Sequence, residues 1–420
     1  MTKEKKNVIW NILGASFNAF NSLFFTIIVT RVNGLNDAGI FTYSFATACL
    51  LYNIGIYEGR TFQVTDITGK HSDSDYLYNK LFTCIIMIIV AICFTLIKGY
   101  DIYKVAIFLI LNLFRCVEAF AEGVYAVIQK NGNLYKVGIS LFVKALLGII
   151  VFAIIDIITK NLILASSSLI VVNLLGLLFY DRRNLKEVKM TKTKFSWKAN
   201  TNILKIGFFT FILTFLGIYL INAPRYAIDD ISTNDLQTIF GIIIMPATFM
   251  GLLGQYIIQP LLTKIANFIK NTNYKELKSI IIKIISIISI LGMAVFVIAY
   301  VLEVPVLHIV YGIELKPYFV PMMIIIVGSI FYSISIILSA ILIAMRKTLA
   351  QAIIYGICSI AASVLSYKLV EKFAIQGASI TYTVTMFTVA LAFAIYLIYN
   401  MKIYKEKWKL NENINNNSNI

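Results

Sequence analysis

Twelve apolar runs of membrane-spanning length dominate this chain and leave little from which to build a soluble core. They lie near 8–30, 38–57, 81–98, 102–128, 134–157 and 161–180, then near 201–222, 237–262, 279–302, 318–345, 348–370 and 374–400. A helix that crosses a bilayer uses about 20 apolar residues. With 420 residues, 59% hydrophobic and 14% charged, the chain spends nearly all its apolar content on twelve such helices. Soluble domains carry about 25% charged residues. Lipid cannot satisfy an open backbone, so each run must be helical. No loop is long enough to house a catalytic domain outside the membrane, which speaks against an enzyme. The expected fold is all-α and integral to the membrane, with about twelve transmembrane helices in two six-helix lobes, 1–180 and 201–400.

The net charge of +16 follows the loops. If the N-terminus is cytoplasmic, 27 of the 37 Lys and Arg fall on that side and 8 on the other, while Arg115 and Lys144 lie within spans. Cytoplasmic loops carry such an excess, so both termini are expected in the cytoplasm and no nucleic acid is needed to explain the charge. The basic stretch 181–200 reads as a cytoplasmic linker between the lobes, and the asparagine-rich 401–420 as a disordered tail. Met1 to Lys6 leads into a first span with no small-residue cleavage site, which reads as retained rather than as a signal peptide. All six prolines fall in the second half, and Pro246 with Pro260 should bend or unwind the span that holds them. The five cysteines lie in apolar runs without a C-x-x-C pair, so neither a disulfide framework nor a zinc site is indicated. His71 and His308 share no metal-ligand spacing. No metal and no cofactor are expected.

In such a chain the informative residues are those that hydrocarbon rejects. In the fourth run, Arg115, Glu118 and Glu122 project at about 0°, −60° and −20° on a helix of 3.6 residues per turn, hence from one face. Lys144 in the fifth run sits at similar depth. Two readings stay open: an ion-pair lattice that holds two helices together, or a water-filled cavity that binds charge, with Glu118 or Glu122 coupling transport to a cation. Asn11, Asn18 and Asn21 share a face of the first run, as interhelical glue or as a polar wall that meets sugar hydroxyls. No G-x-S-x-G, Walker loop or H-E-x-x-H is present.

Four short elements carry a resemblance. Thr30-Arg31-Val32-Asn33-Gly34 with Asp37 and Gly39 resembles the R-x-x-G…G signature of the Wzx-type polysaccharide flippases. These form a branch of the multidrug/oligosaccharidyl-lipid/polysaccharide exporter superfamily. Asn222-Ala223-Pro224-Arg225-Tyr226 is similar to that family's N-x-P-R-Y element. Leu307–Gly312 and Gln376–Tyr382 resemble its later landmarks, and Arg60-x-x-Gln63-x-x-Asp66 looks like a subgroup feature. The resemblance implies a multi-pass protein of two six-helix lobes around a central cavity that moves undecaprenyl-diphosphate-linked oligosaccharide across a bacterial cytoplasmic membrane; Glu118 and Glu122 add the expectation of a cation-coupled antiporter. The resemblance also implies partnership with the lipid bilayer and with other polysaccharide-assembly membrane proteins, and function as a monomer. A diphosphate needs cations, and Arg31, Arg115, Lys144 and Arg225 are the available ones; Arg31 and Arg225, at outer span ends, also suit head-group anchoring. Asn11, Asn18, Tyr43 and Tyr52 offer amides and aromatic faces to sugars. The competing readings are a multidrug-type small-molecule exporter of the same superfamily and a membrane oligosaccharide polymerase or ligase.

Overall fold

In the computed structural model, which describes residues 2–57, 59–66, 69–271 and 273–417, the chain is a succession of helices, and no strand forms among the described residues. In order they are α1 Lys3–Val32, α2 Leu35–Ile56, α3 Gly59–Thr65, α4 Asp73–Lys98, α5 Ile102–Lys130, α6 Leu134–Thr159 and α7 Leu162–Leu175. A π-helical turn, Gly176–Asp181, leads into α8 Arg182–Lys186. There follow α9 Trp197–Ile231, α10 Asn234–Ile243, α11 Met245–Ile258, α12 Leu262–Lys270, α13 Tyr274–Tyr311, α14 Phe319–Ala344 and α15 Thr348–Asn417. Short polar caps set the helix starts. The Ser72 hydroxyl accepts from the Asp75 backbone N–H while the Asp75 carboxylate accepts from that of Ser72, and Asp101 accepts from the N–H groups of Tyr103 and Lys104. Gly34, in the Arg31-containing element, turns the chain from α1 to α2 with φ 90° and ψ −178°, a conformation that side chains disfavour.

The helices form two compact units, Met1–Phe215 and Leu216–Ile420, which divide within α9. The first unit reaches past the linker because residues 187–196 are tied back onto it. Asp73 accepts from both the backbone N–H and the hydroxyl of Thr191 at 2.9 Å, and Asn131 donates to the Lys189 carbonyl at 3.0 Å. Within this unit α1 lies along α6, α2 packs on α4 and α5, and α7 packs on α5 and α6. Backbones touch where α1 meets α6: a Cβ on Gly138 would stand 2.2 Å from the Trp10 carbonyl oxygen, and one on Gly14 would stand 2.3 Å from that of Gly138. Small residues permit such close approach in membrane helices. Phe25, Phe41, Phe45, Phe114 and Phe152 fill the core beside it, with the Phe25 and Phe152 rings 4.9 Å apart.

In the second unit α14 packs against α11, α13 and α15. The span with two prolines is broken as their chemistry requires: α11 begins beside Pro246, and the 3₁₀ turn Gln259–Leu261 contains Pro260. α15 leaves helical geometry at Ala374 (φ 47°, ψ −125°), which separates two helical arms. Its second arm is helical to Asn417, and the last residues of the 401–420 segment lie outside the described residues. Ten helical stretches among the described residues are long and apolar enough to cross a membrane. α5 falls outside that set although it is 29 residues long, because Arg115, Glu118 and Glu122 interrupt it.

Candidate functional site

The polar face of α5 becomes the floor of a cavity inside the first unit. Asn18 from α1, Tyr52 from α2, Lys144 from α6 and Asn173 from α7 line it together with Glu118, Glu122 and Tyr125 from α5. Its volume of about 20 Å³ suits roughly one water molecule, so in this conformation it is closed to larger ligands.

Each cation at this cavity meets its own carboxylate. Arg115 Nη1 donates to Glu118 Oε2 at 2.5 Å, Arg60 Nη1 to Glu122 Oε2 at 2.9 Å, and Lys144 Nζ to Asp181 Oδ2 at 2.8 Å. The sequence suggested that Arg115 and Lys144 share the two glutamates, and the structure corrects the pairing. Lys144 turns away because the π-helical turn at the end of α7 delivers Asp181, 1% exposed, onto α6, where Ser140 also donates to it at 2.6 Å. The Lys144 stem passes directly over Gly176 in that turn. Extra-residue turns of this kind frequently mark functional sites. Glu122 is left to Arg60, which α3 carries in from the α2–α4 connection and which Gln129 also holds, through Nε at 2.9 Å.

Aromatic faces enclose the Arg115 guanidinium, with Phe45 at 4.6 Å, Phe114 at 5.2 Å and Tyr52 at 5.8 Å from ring centroids, and its Nη2 lies 3.1 Å from Cys49 Sγ. A desolvated cation–π contact contributes about 2 kcal/mol, which helps to offset the burial of the charge. Lys144 thus lines the polar pocket directly, and two planar forks, Arg60 and Arg115, hold the two glutamates that line it. Such forks match phosphate oxygens in pairs, provided that an arriving anion replaces the carboxylates already in place.

Of the candidate residues, Asn18, Tyr52, Glu118, Glu122 and Lys144 line the cavity, Arg115 stands behind it on Glu118, and the other four lie elsewhere. Asn11 borders a separate groove with Arg60 and Gln129. Tyr43 is fully buried, its hydroxyl 2.8 Å from that of Tyr100 and its ring 5.0 Å from Lys104 Nζ. It cannot join Tyr52, because nine residues along α2 amount to about 14 Å and half a turn of rotation. Arg31 ends α1, about 20 Å along the axis from Asn18. Arg225 belongs to the second unit, where its guanidinium lies 5.7 Å from the Phe240 ring centroid and its carbonyl accepts from Gln237 at 2.9 Å. Sequence reasoning missed Arg60, Asp181, Tyr125 and Asn173 as members of the cluster. The available signal for Asp181 was its place at the edge of an apolar run, one residue inside the boundary given to the linker. Among the described residues, no group of three or more His, Cys, Asp or Glu is arranged to hold a metal ion.

No family model matches the chain. It is 24% identical over 394 residues to the capsular polysaccharide biosynthesis protein CapF of Staphylococcus aureus, covering 92% of this chain and 98% of that one. Among solved structures it is similar to an inward-facing multidrug resistance MATE family transporter of the MOP superfamily, with a TM-score of 0.71 at 11% identity over 94% of this chain and 99% of that one. It is equally similar to the lipid II flippase MurJ in an inward closed conformation, with a TM-score of 0.71 at 15% identity over 96% and 91% of the two chains. The resemblance to polysaccharide exporters agrees with these neighbours. The chain is a multi-pass membrane protein with the fold of the MOP-superfamily transporters.

Proposed function

We propose that this protein is a flippase that carries undecaprenyl-diphosphate-linked oligosaccharide repeat units across the bacterial cytoplasmic membrane for surface polysaccharide synthesis. It works by alternating access, with twelve spans and both termini in the cytoplasm. This reading counts α5 and each arm of α15 as spans beside the other apolar stretches. The observation that carries the reading is the cluster of Arg60, Arg115 and Lys144, largely withdrawn from solvent and each neutralised by a carboxylate, around a small polar pocket that Glu118, Glu122 and Lys144 line. Intramembrane ionisable groups mark substrate or ion pathways, and here the cations suit a diphosphate while Glu118 and Glu122 suit a coupling cation. In this reading Asn18, Tyr52 and Asn173, which line the same cavity, meet sugar hydroxyls once it opens. The end-to-end similarity to a capsule biosynthesis protein supports the same cargo class.

The second reading, a small-molecule exporter, draws on the equally strong MATE likeness. One experiment separates the two. In a deletion strain, lipid-linked repeat units should accumulate on the cytoplasmic face, and the wild-type gene should clear them. Single units displayed outside would instead indicate a polymerase or ligase. Normal surface polysaccharide with heightened sensitivity to cationic dyes would establish the exporter.

A further inference from the structure

The second unit contains a groove that the proposed transport site does not use. α12 and α13 pack side by side, and between them and the end of α11 lies a cavity of about 560 Å³. That is within the roughly 300–1,000 Å³ typical of ligand sites. Two helical stripes face each other across it. Ile257, Leu261, Lys264 and Phe268 come from one wall, and Lys275, Ser279, Lys283 and Ile287 recur every four residues on the other. Glu276 is the single carboxylate among the lining residues, so the lining is net positive as well as aliphatic.

Depth sharpens the chemistry. Lys283 lies about 7 Å further along α13 than Lys278, at 1.5 Å per residue. Around it Ile282, Ile287 and Ile290 are 55%, 38% and 69% exposed, so it emerges among side chains suited to hydrocarbon. A lysine at that level is costly unless its ammonium snorkels back to an anionic layer. Lys264, on the opposing helix, holds its ammonium 5.7 Å from the Phe268 ring centroid, above the same cavity.

We propose that this groove binds an anionic phospholipid of the surrounding bilayer. Lys264, Lys275 and Lys283 hold its phosphate, with the Ser279 hydroxyl as a further donor, and an acyl chain runs along Ile257, Leu261 and Ile284. A soluble anion leaves the aliphatic walls uncovered, and a neutral lipid brings no net charge to Lys264 and Lys283, so charge and wall together select the occupant. Basic pockets between helices on the cytoplasmic side recognise phosphate-bearing lipids by this chemistry, and the loop charges assign this end to that side. The inference stands whether or not the protein is a flippase.

The test uses the full-length protein in phosphatidylcholine nanodiscs doped with photoactivatable phosphatidylglycerol or, separately, photoactivatable phosphatidylcholine. Crosslinks are mapped by mass spectrometry. The anionic probe should label residues 257–287 at least about fivefold more than the zwitterionic one, the scale of one lysine's interaction with an anionic surface. Replacing two lysines, Lys264→Gln with Lys283→Gln, should remove most of that excess, while Glu276→Gln should preserve or raise it. Equal labelling by the two probes overturns the proposal, and because that comparison uses the wild-type chain, a variant that fails to fold does not protect it. Undiminished labelling of a folded double variant, or displacement by excess inorganic phosphate, overturns it too.

Discussion

At the scale of single residues, the cluster depends on fork geometry as much as on charge. Arg115→Lys keeps a cation beside Glu118 but loses the planar pair of donors and most of the stacking on Phe45 and Phe114. It should cut transport of lipid-linked oligosaccharide by about tenfold or more, since a lysine cannot reproduce bidentate phosphate contact, with membrane abundance near that of the parent. Surface polysaccharide and protein level, measured together, check this; a parallel loss of both would make the residue structural. Glu122→Gln imitates the protonated acid at nearly constant size. If Glu118 and Glu122 carry the coupling, the double Gln variant should still bind lipid-linked oligosaccharide in liposomes but stop responding to an imposed pH gradient. Gradient-driven transport equal to the parent's would remove these two residues from the coupling mechanism. The sequence made Arg115, Glu118 and Glu122 legible because helical periodicity fixes residues on one face of one helix. It was silent on their partners, since Arg60 arrives from 62 residues away and Asp181 pairs with a lysine 37 residues earlier.

At the scale of elements, ion pairs that cross between helices differ from the pair within α5. Lys144 and Asp181 join α6 to the turn after α7, both nearly excluded from solvent. Removing one member strands a buried charge, at about 3–5 kcal/mol, whereas replacing both by apolar groups of similar size is often neutral. Lys144→Met alone should therefore lower the thermal midpoint in detergent by several degrees, and Lys144→Met with Asp181→Leu should recover most of it. A double variant as unstable as the single one would mean that the hydrogen bonds of Ser140, rather than the charge pair, hold the turn. Element ends were where sequence reading was least informative. The linker was drawn from Asp181, yet helix continues to Lys186 and the non-helical strap is confined to 187–196. Apolar runs end where lipid contact ends, and hydropathy does not tell a buried aspartate just past such an end from one exposed in a loop. Proline is more legible: the breaks at Pro246 and Pro260 follow from a missing N–H and a ring clash, although Pro224 and Pro305 stay inside continuous helices.

At the scale of the whole molecule, the charge asymmetry of the loops makes a topological prediction. A cysteine at position 192, in a variant that lacks the five native cysteines, should resist a membrane-impermeant thiol reagent in intact cells and react once the membrane is opened. Labelling of intact cells would invert the orientation of every span. The all-helical membrane class was legible, because apolar runs of spanning length must be helical in lipid, whereas the small volume of the cavity was not, since it depends on packing between five helices. The prolines have a mechanical consequence. The first unit, which holds the charged cluster, contains none, while the second contains all six. Stiffness and compliance are thus assigned to different parts of one chain: one part keeps six charged groups in register, and the other supplies joints where backbone carbonyls lack helical donors. Amide hydrogen exchange should register that division, with α10, α11 and α12 exchanging faster than α5 and α6 at equal depth. Uniform protection across both would mean that the joints are locked and that shape change is borne elsewhere.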